Sequence, residues 1–164
     1  MEKINETKTK GVLTGVAEEY FVAAELTIRG YIASITLRNT KGIDILVSNH
    51  DASESIGGQV KTNHGDRRKA WVLNSKAENS FKDNLFYVFV NLKGKNHRPD
   101  FYVVPSQIVA NYVRETHQNW LETPGRGGRQ HQDNSMRMFK DLNNEYLEKW
   151  TLIDEKLGIS SPAS

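Results

Sequence analysis

Apolar and polar positions along the chain follow two different periods, and the change from one to the other marks out the elements. From Thr14 to Arg29 apolar residues recur at helical spacing, and Gly30 stands just past the end as a terminator. The stretch before it, MEKINETKTKG, is polar and predicts a leader. Tyr31–Arg38 (YIASITLR) predicts a strand, Asn39-Thr40-Lys41-Gly42 a turn, and Ile43–Ser48 a second strand rich in β-branched residues. Asn49 to Glu54 reads as a polar turn and Ile56–Thr62 as a third strand, with Gly57-Gly58 marking a bulge or a close approach. Asn63 to Lys69 is polar and basic, hence a loop, and Ala70–Leu73 predicts a short strand.

Leu85–Leu92 (LFYVFVNL) is almost continuously apolar, the pattern of a strand covered on both faces. Phe101–Val104 predicts another strand, closed by Pro105. Ser106–Leu121 places Ile108, Val109, Tyr112 and Val113 at helical spacing. Thr123–Asn134, with its TPGRGGRQHQ run, reads as a loop, Met136 to about Leu157 as a C-terminal helix, and the last residues as a frayed tail. The expected fold is α/β: a central mixed sheet of about five strands flanked by helices. The 164 residues suit a single domain over 1–164, with a motif core at 11–121 and a C-terminal loop and helix at 122–157.

Composition removes several chemistries. There is no cysteine, which excludes disulfides, thiolate zinc sites and cysteine nucleophiles, and suits a cytoplasmic location. The polar N-terminus lacks the apolar core of a signal peptide, and no apolar run is long enough for a membrane helix. The five histidines show no H-x-x-x-H pair, and neither G-x-S-x-G nor G-x-G-x-x-G occurs. The net charge of +2 says little about partners. Basic residues gather at Arg67, Arg68 and Lys69, at Lys93, Lys95 and Arg98, and at Arg126, Arg129 and Arg137, where each group also reads as an ordinary solvated loop.

Polar residues in apolar surroundings carry the candidate chemistry. On a helical wheel Glu18, Glu25 and Arg29 form a polar stripe, whereas Glu19 neighbours Val16, Val22, Ala23 and Leu26. A buried carboxylate needs a cation or a set of hydrogen bonds; a carboxylate reaching to water from the stripe's edge needs neither. Asp44 interrupts the strand GIDILV, where aspartate is disfavoured. In Gln59-Val60-Lys61, Gln59 and Lys61 share one face and Val60 takes the other. Singly, Asp44 also fits a strand-edge ion pair, and Gln59 and Lys61 an exposed strand face. Together, a helix acid, an aspartate 25 residues on and Gln-x-Lys 15 residues beyond supply oxygen donors and an ammonium, as magnesium-dependent phosphodiester chemistry requires.

With these residues on the page, the runs TGVAEEYFVAAELTIRGY, KGIDILV and GGQVKT resemble the PD-(D/E)xK nuclease superfamily, in its variant with QxK in place of ExK. The resemblance covers about Gly11 to Thr62 by motif. It implies a restriction endonuclease-like core that hydrolyses DNA with Mg²⁺ or Mn²⁺. Glu19 would be the first-helix acid, Asp44 the central metal-binding aspartate, Gln59 the residue at the second acidic position and Lys61 the catalytic lysine, with Val60 lending a carbonyl to the metal. Ile43 stands where the motif's proline is placed, and Gln59 leaves the site one charge short, which keeps open a member that binds nucleic acid or a protein without cutting. Thr62, His64, Arg67, Arg68, Lys69, Arg126 and Arg129 are expected to meet DNA phosphates, and a homodimer is a further expectation. Trp71, Trp120 and Trp150 are expected to pack rather than to stack on bases.

Overall fold

The computed structural model describes residues 2–37, 42–64, 69–94 and 96–159, with side chains from residue 15 onward. Helix α1 spans Glu2–Ile28 and so takes in the stretch expected to be a polar leader. Gly30 ends it at φ 89°, a left-handed conformation that glycine adopts without strain. The Tyr31 N–H donates to Leu26 O at 3.1 Å and Gly30 N–H to Thr27 O at 2.9 Å, closing a Schellman cap. Tyr31 and Leu26, the apolar pair that accompanies such a cap, are both buried.

Strands β1 (Ile32–Ile35), β2 (Ile45–Ser48), β3 (Ser55–His64), β5 (Leu85–Leu92) and β6 (Asp100–Pro105) form one five-stranded sheet in the order β1-β2-β3-β5-β6. Only β3 and β5 run parallel, so the sheet is mixed, as expected. Continuous register through Gly57 and Gly58 shows no bulge; instead Gly57 answers to a close approach. A Cβ there would meet Ile43 Cγ1 at 3.2 Å.

Each face of the sheet has its own core. One gathers Val22 and Leu26 of α1 with Ile45, Val60, Val88 and Val90. The other gathers Tyr87 and Phe89 of β5 with Val109 and Val113 of helix α2 (Ser106–Glu122). Strand β5 therefore lies between two layers, which is why it reads as a nearly unbroken apolar run.

The short strand expected from Ala70 forms, whereas the C-terminal helix expected from Met136 does not. Strand β4 (Ala70–Asn74) is not part of the main sheet: it pairs antiparallel with β7 (Met136–Lys140) in a separate two-stranded sheet. The C-terminal region is therefore not a helix from Met136. Its first residues alternate, Arg137 and Phe139 buried between exposed Met136, Met138 and Lys140, and that is strand periodicity. Asp141 then accepts the Glu145 and Tyr146 N–H groups at 2.9 and 2.8 Å, turning the chain. Helix α3 is only Thr151–Lys156. Trp71 and Trp150 lie in the core, whereas Trp120 is partly exposed and stacks on His131 with ring centroids 4.1 Å apart. Among the described residues no helix is long and apolar enough to cross a membrane.

Candidate metal-binding and phosphodiester site

The site grows from the point where β2 and β3 part. The register ends with Ile45 paired to Gly58, and Asp44 lies just beyond that last pair. The Asp44 N–H donates to Gly58 O at 2.8 Å, and its carbonyl accepts Thr36 N–H at 2.9 Å. Thr36 Oγ1 also donates to Ile43 O at 2.7 Å, pinning the bend that precedes the strand. The side chain then replaces the ladder where it runs out: Asp44 Oδ2 accepts the Val60 N–H at 2.7 Å. Its other oxygen bonds to no described residue. An aspartate inside this apparent strand is thus explained by geometry, because it satisfies a backbone donor that the departing β2 cannot.

Lys61 Nζ donates to Val60 O at 3.2 Å and makes no ion pair with a described residue. Asp44 and Lys61 consequently meet at the backbone of Val60, one at its N–H and the other at its carbonyl, with Gln59 and Lys61 on the face of the sheet that also carries Tyr87. Burial raises the pKa of the Tyr87 phenol, and the charge of Asp44 adds to it.

Gln59 and Lys61 open into a cleft of about 790 Å³. Its floor is β3, with Leu46 of β2 and Tyr87 of β5; its wall is the segment from Leu73 to Leu85, which includes the short 3₁₀ helix Ser75–Glu78. Lys76 and Lys82 join Lys61 in the lining, and no described Asp or Glu does.

The helix acids are arranged differently from the wheel reading. Glu18, assigned there to a polar stripe, is buried at 7% exposure, in line with Val22 and Leu26 four and eight residues on. Glu19 beside it is half-buried. Burial raises the Glu18 pKa and the charge of Glu19 adds to this, while the Thr62 hydroxyl, His64 and Lys61 act against it. Thr62 Oγ1 is buried nearby and completes no hydrogen bond of good geometry with a described residue. The face of α1 against the sheet thus interleaves charged and apolar side chains, and Tyr20, Phe21 and Ile28 point outward. Glu18 shares the α1 layer with Thr62 and Val60, while Gln59 and Lys61 occupy the other face of β3. The charge of Lys61 still reaches Glu18 at this end of the sheet.

Of the residues expected to meet phosphate, Arg67 and Arg68 lie outside the described residues, as does Lys95 of the neighbouring basic group. Lys69 and Thr62 are half-buried, and His64, Arg126 and Arg129 are exposed. Arg137 is buried and held by Glu78 and the Asn134 carbonyl, so it is a structural cation. Arg98 is likewise engaged by Glu25 and Glu148, and Lys93 by Asp100. Sequence reasoning passes over Lys76, Lys82 and Glu18. For Glu18 the signal is present, since it is spaced by four from Val22 and by eight from Leu26.

The donor set can be weighed against a metal. Asp44, the Gln59 amide and the Val60 carbonyl are all oxygen donors, suited to a hard divalent cation. Among the described residues no three Asp, Glu or His side chains are gathered as a ready-made metal cluster. Mg²⁺ fits such a sparse set, because it retains waters and binds through one or two carboxylates together with substrate phosphates.

No family model and no curated protein matches the chain. Among solved structures it is similar to that of a bacterial homing endonuclease, I-Ssp6803I, with a TM-score of 0.53 at 15% identity, over 88% of this chain and 91% of that one. At that identity the likeness is one of fold.

Proposed function

We propose that the protein is a metal-dependent endonuclease of PD-(D/E)xK type that hydrolyses DNA phosphodiester bonds, using Asp44, Gln59 and Lys61 with an acid from α1. One observation carries the reading: Asp44, held by three backbone hydrogen bonds where β2 leaves β3, lies against the Gln59-Val60-Lys61 segment at the mouth of a cation-lined cleft. The nuclease fold, with a homing endonuclease as a structural neighbour, supports it.

In this reading Asp44, the Gln59 amide oxygen and the Val60 carbonyl would hold Mg²⁺ or Mn²⁺. The bound ion supplies Lewis acidity at the phosphoryl oxygens and a more acidic water. Asp44 is oriented before substrate arrives, since its backbone and one carboxylate oxygen are fixed. Lys61 exchanges its weak bond to Val60 O for the phosphate and the attacking water, and its ammonium offsets developing negative charge. Glu19, and Glu18 beside it, add negative charge from the helix side, and Thr62, His64, Lys69, Arg126 and Arg129 are candidates for contacts to the phosphate backbone.

Supercoiled plasmid incubated with the protein and Mg²⁺ or Mn²⁺ tests the reading. Nicking is expected, with a loss of about a hundredfold or more in Lys61→Ala, the scale of removing one charge-stabilising donor. Equal nicking by the variant defeats the mechanism. A second reading, a nuclease fold that grips DNA without cutting, is favoured by the neutral Gln59 and the absence of a three-acid cluster among the described residues. It predicts DNA binding with no metal-dependent nicking by the wild-type protein.

A further inference from the structure

We infer that the cleft beside Gln59 and Lys61 receives an unpaired nucleotide of the DNA strand, so that the preferred substrate carries a locally open segment; this rests on the nuclease reading for its choice of ligand. Three observations converge on the wall opposite β3.

The first is charge. Lys76 and Lys82 project from exposed positions in the lining, neither forms an ion pair with a described residue, and no described carboxylate lines the cleft. Such a surface attracts a phosphodiester chain and releases its counterions. The second is shape and chemistry. A volume of about 790 Å³ lies within the roughly 300–1,000 Å³ of pockets that enclose small ligands. Phe81, 40% exposed, offers a ring at the rim, and Asn79 and Asn84 offer both donors and acceptors, which base edges require. In a duplex the faces of the bases are covered by stacking, so an aromatic rim in a concave site reaches a base face only when the nucleotide leaves the stack.

The third is rigidity. Buried Ser106, at the start of α2, accepts the Lys82 N–H at 3.0 Å and donates to the Lys82 carbonyl at 2.9 Å. The Asn84 carbonyl accepts Gly57 N–H at 2.8 Å, tying the wall to the floor. The rim is therefore pre-positioned, and ordering it on binding costs little.

Fluorescence anisotropy in EDTA separates binding from cleavage. A labelled duplex with a central three-nucleotide bubble is compared with the fully paired duplex of the same length. The wild-type protein is expected to bind the bubble at least about fivefold more tightly, stacking on one base being the main source. Phe81→Ala with Lys82→Ala is expected to abolish the preference, and Phe81→Tyr to keep it, which shows that the wall still folds. Equal affinity of the wild-type protein for the two DNAs overturns the inference, as does a preference that survives the double substitution. Plasmid nicking is read separately, so loss of the bubble preference with nicking intact removes only the pocket's role. A bubble preference without nicking keeps the nucleotide in the cleft and removes the nuclease reading.

Discussion

Asp44 and Glu18 are two carboxylates whose positions follow from opposite causes. Asp44 sits where a strand ends and its side chain completes a backbone ladder, so its place is set by local hydrogen bonds. Glu18 lies in an apolar layer, where burial holds its pKa above the ordinary carboxylate value. A carboxyl whose folded pKa is raised keeps a proton that the unfolded chain releases, so its contribution to stability falls as pH rises above the ordinary value near 4.5. Glu18→Gln is therefore expected to raise Tm at pH 7, with the gain shrinking toward pH 4, as thermal unfolding followed by circular dichroism would record. A gain independent of pH would place the Glu18 carboxyl in an ordinary environment. Asp44, Gln59 and Lys61 are legible from spacing, because a period of two and an aspartate among β-branched residues are local signals. Which helix acid is buried is not so legible. Glu18, Val22, Glu25 and Leu26 share one face, and only the partners that the sheet supplies decide which charges go under.

At the scale of elements, the main sheet is legible because each of its strands carries a local pattern, most plainly Leu85–Leu92. The region after Met136 is misread because MRMFK is short and apolar enough to fit either period. Its strand character comes from β4, a partner 62 to 70 residues earlier in the chain: Trp71 pairs with Phe139 and Val72 with Met138. The buried side is a ring cluster in which Phe139 stacks on Phe89 at 4.7 Å and meets Tyr112 edge-on at 4.9 Å. Alternation fixes an energetic contrast between neighbours. Phe139→Ala is expected to cost about 3–5 kcal/mol, as a buried aromatic truncation does. Met138→Ala, at a position 38% exposed, should cost less than about 1 kcal/mol. Urea titrations of the two variants measure this directly, and equal losses would contradict the strand assignment.

For the molecule as a whole, the two-layer sheet brings chemistry to one end of β3 from both sides. The α1 layer contributes Glu18, with Glu19 beside it, and the α2 layer the cleft with its lysines. On the proposed function a metal is expected to bind weakly to the free protein, since few carboxylates are gathered among the described residues and substrate phosphate would complete the ligand set. The measurement that bears most directly on the site is Mn²⁺ binding followed by electron paramagnetic resonance in the Lys61→Ala protein, chosen because its cleavage of DNA is expected to be slow. Duplex DNA is expected to tighten Mn²⁺ binding by about tenfold or more over protein and DNA taken separately, and adding Asp44→Asn should remove that gain. Mn²⁺ binding that DNA does not strengthen, or that persists unchanged in Asp44→Asn, would contradict a metal site built on Asp44.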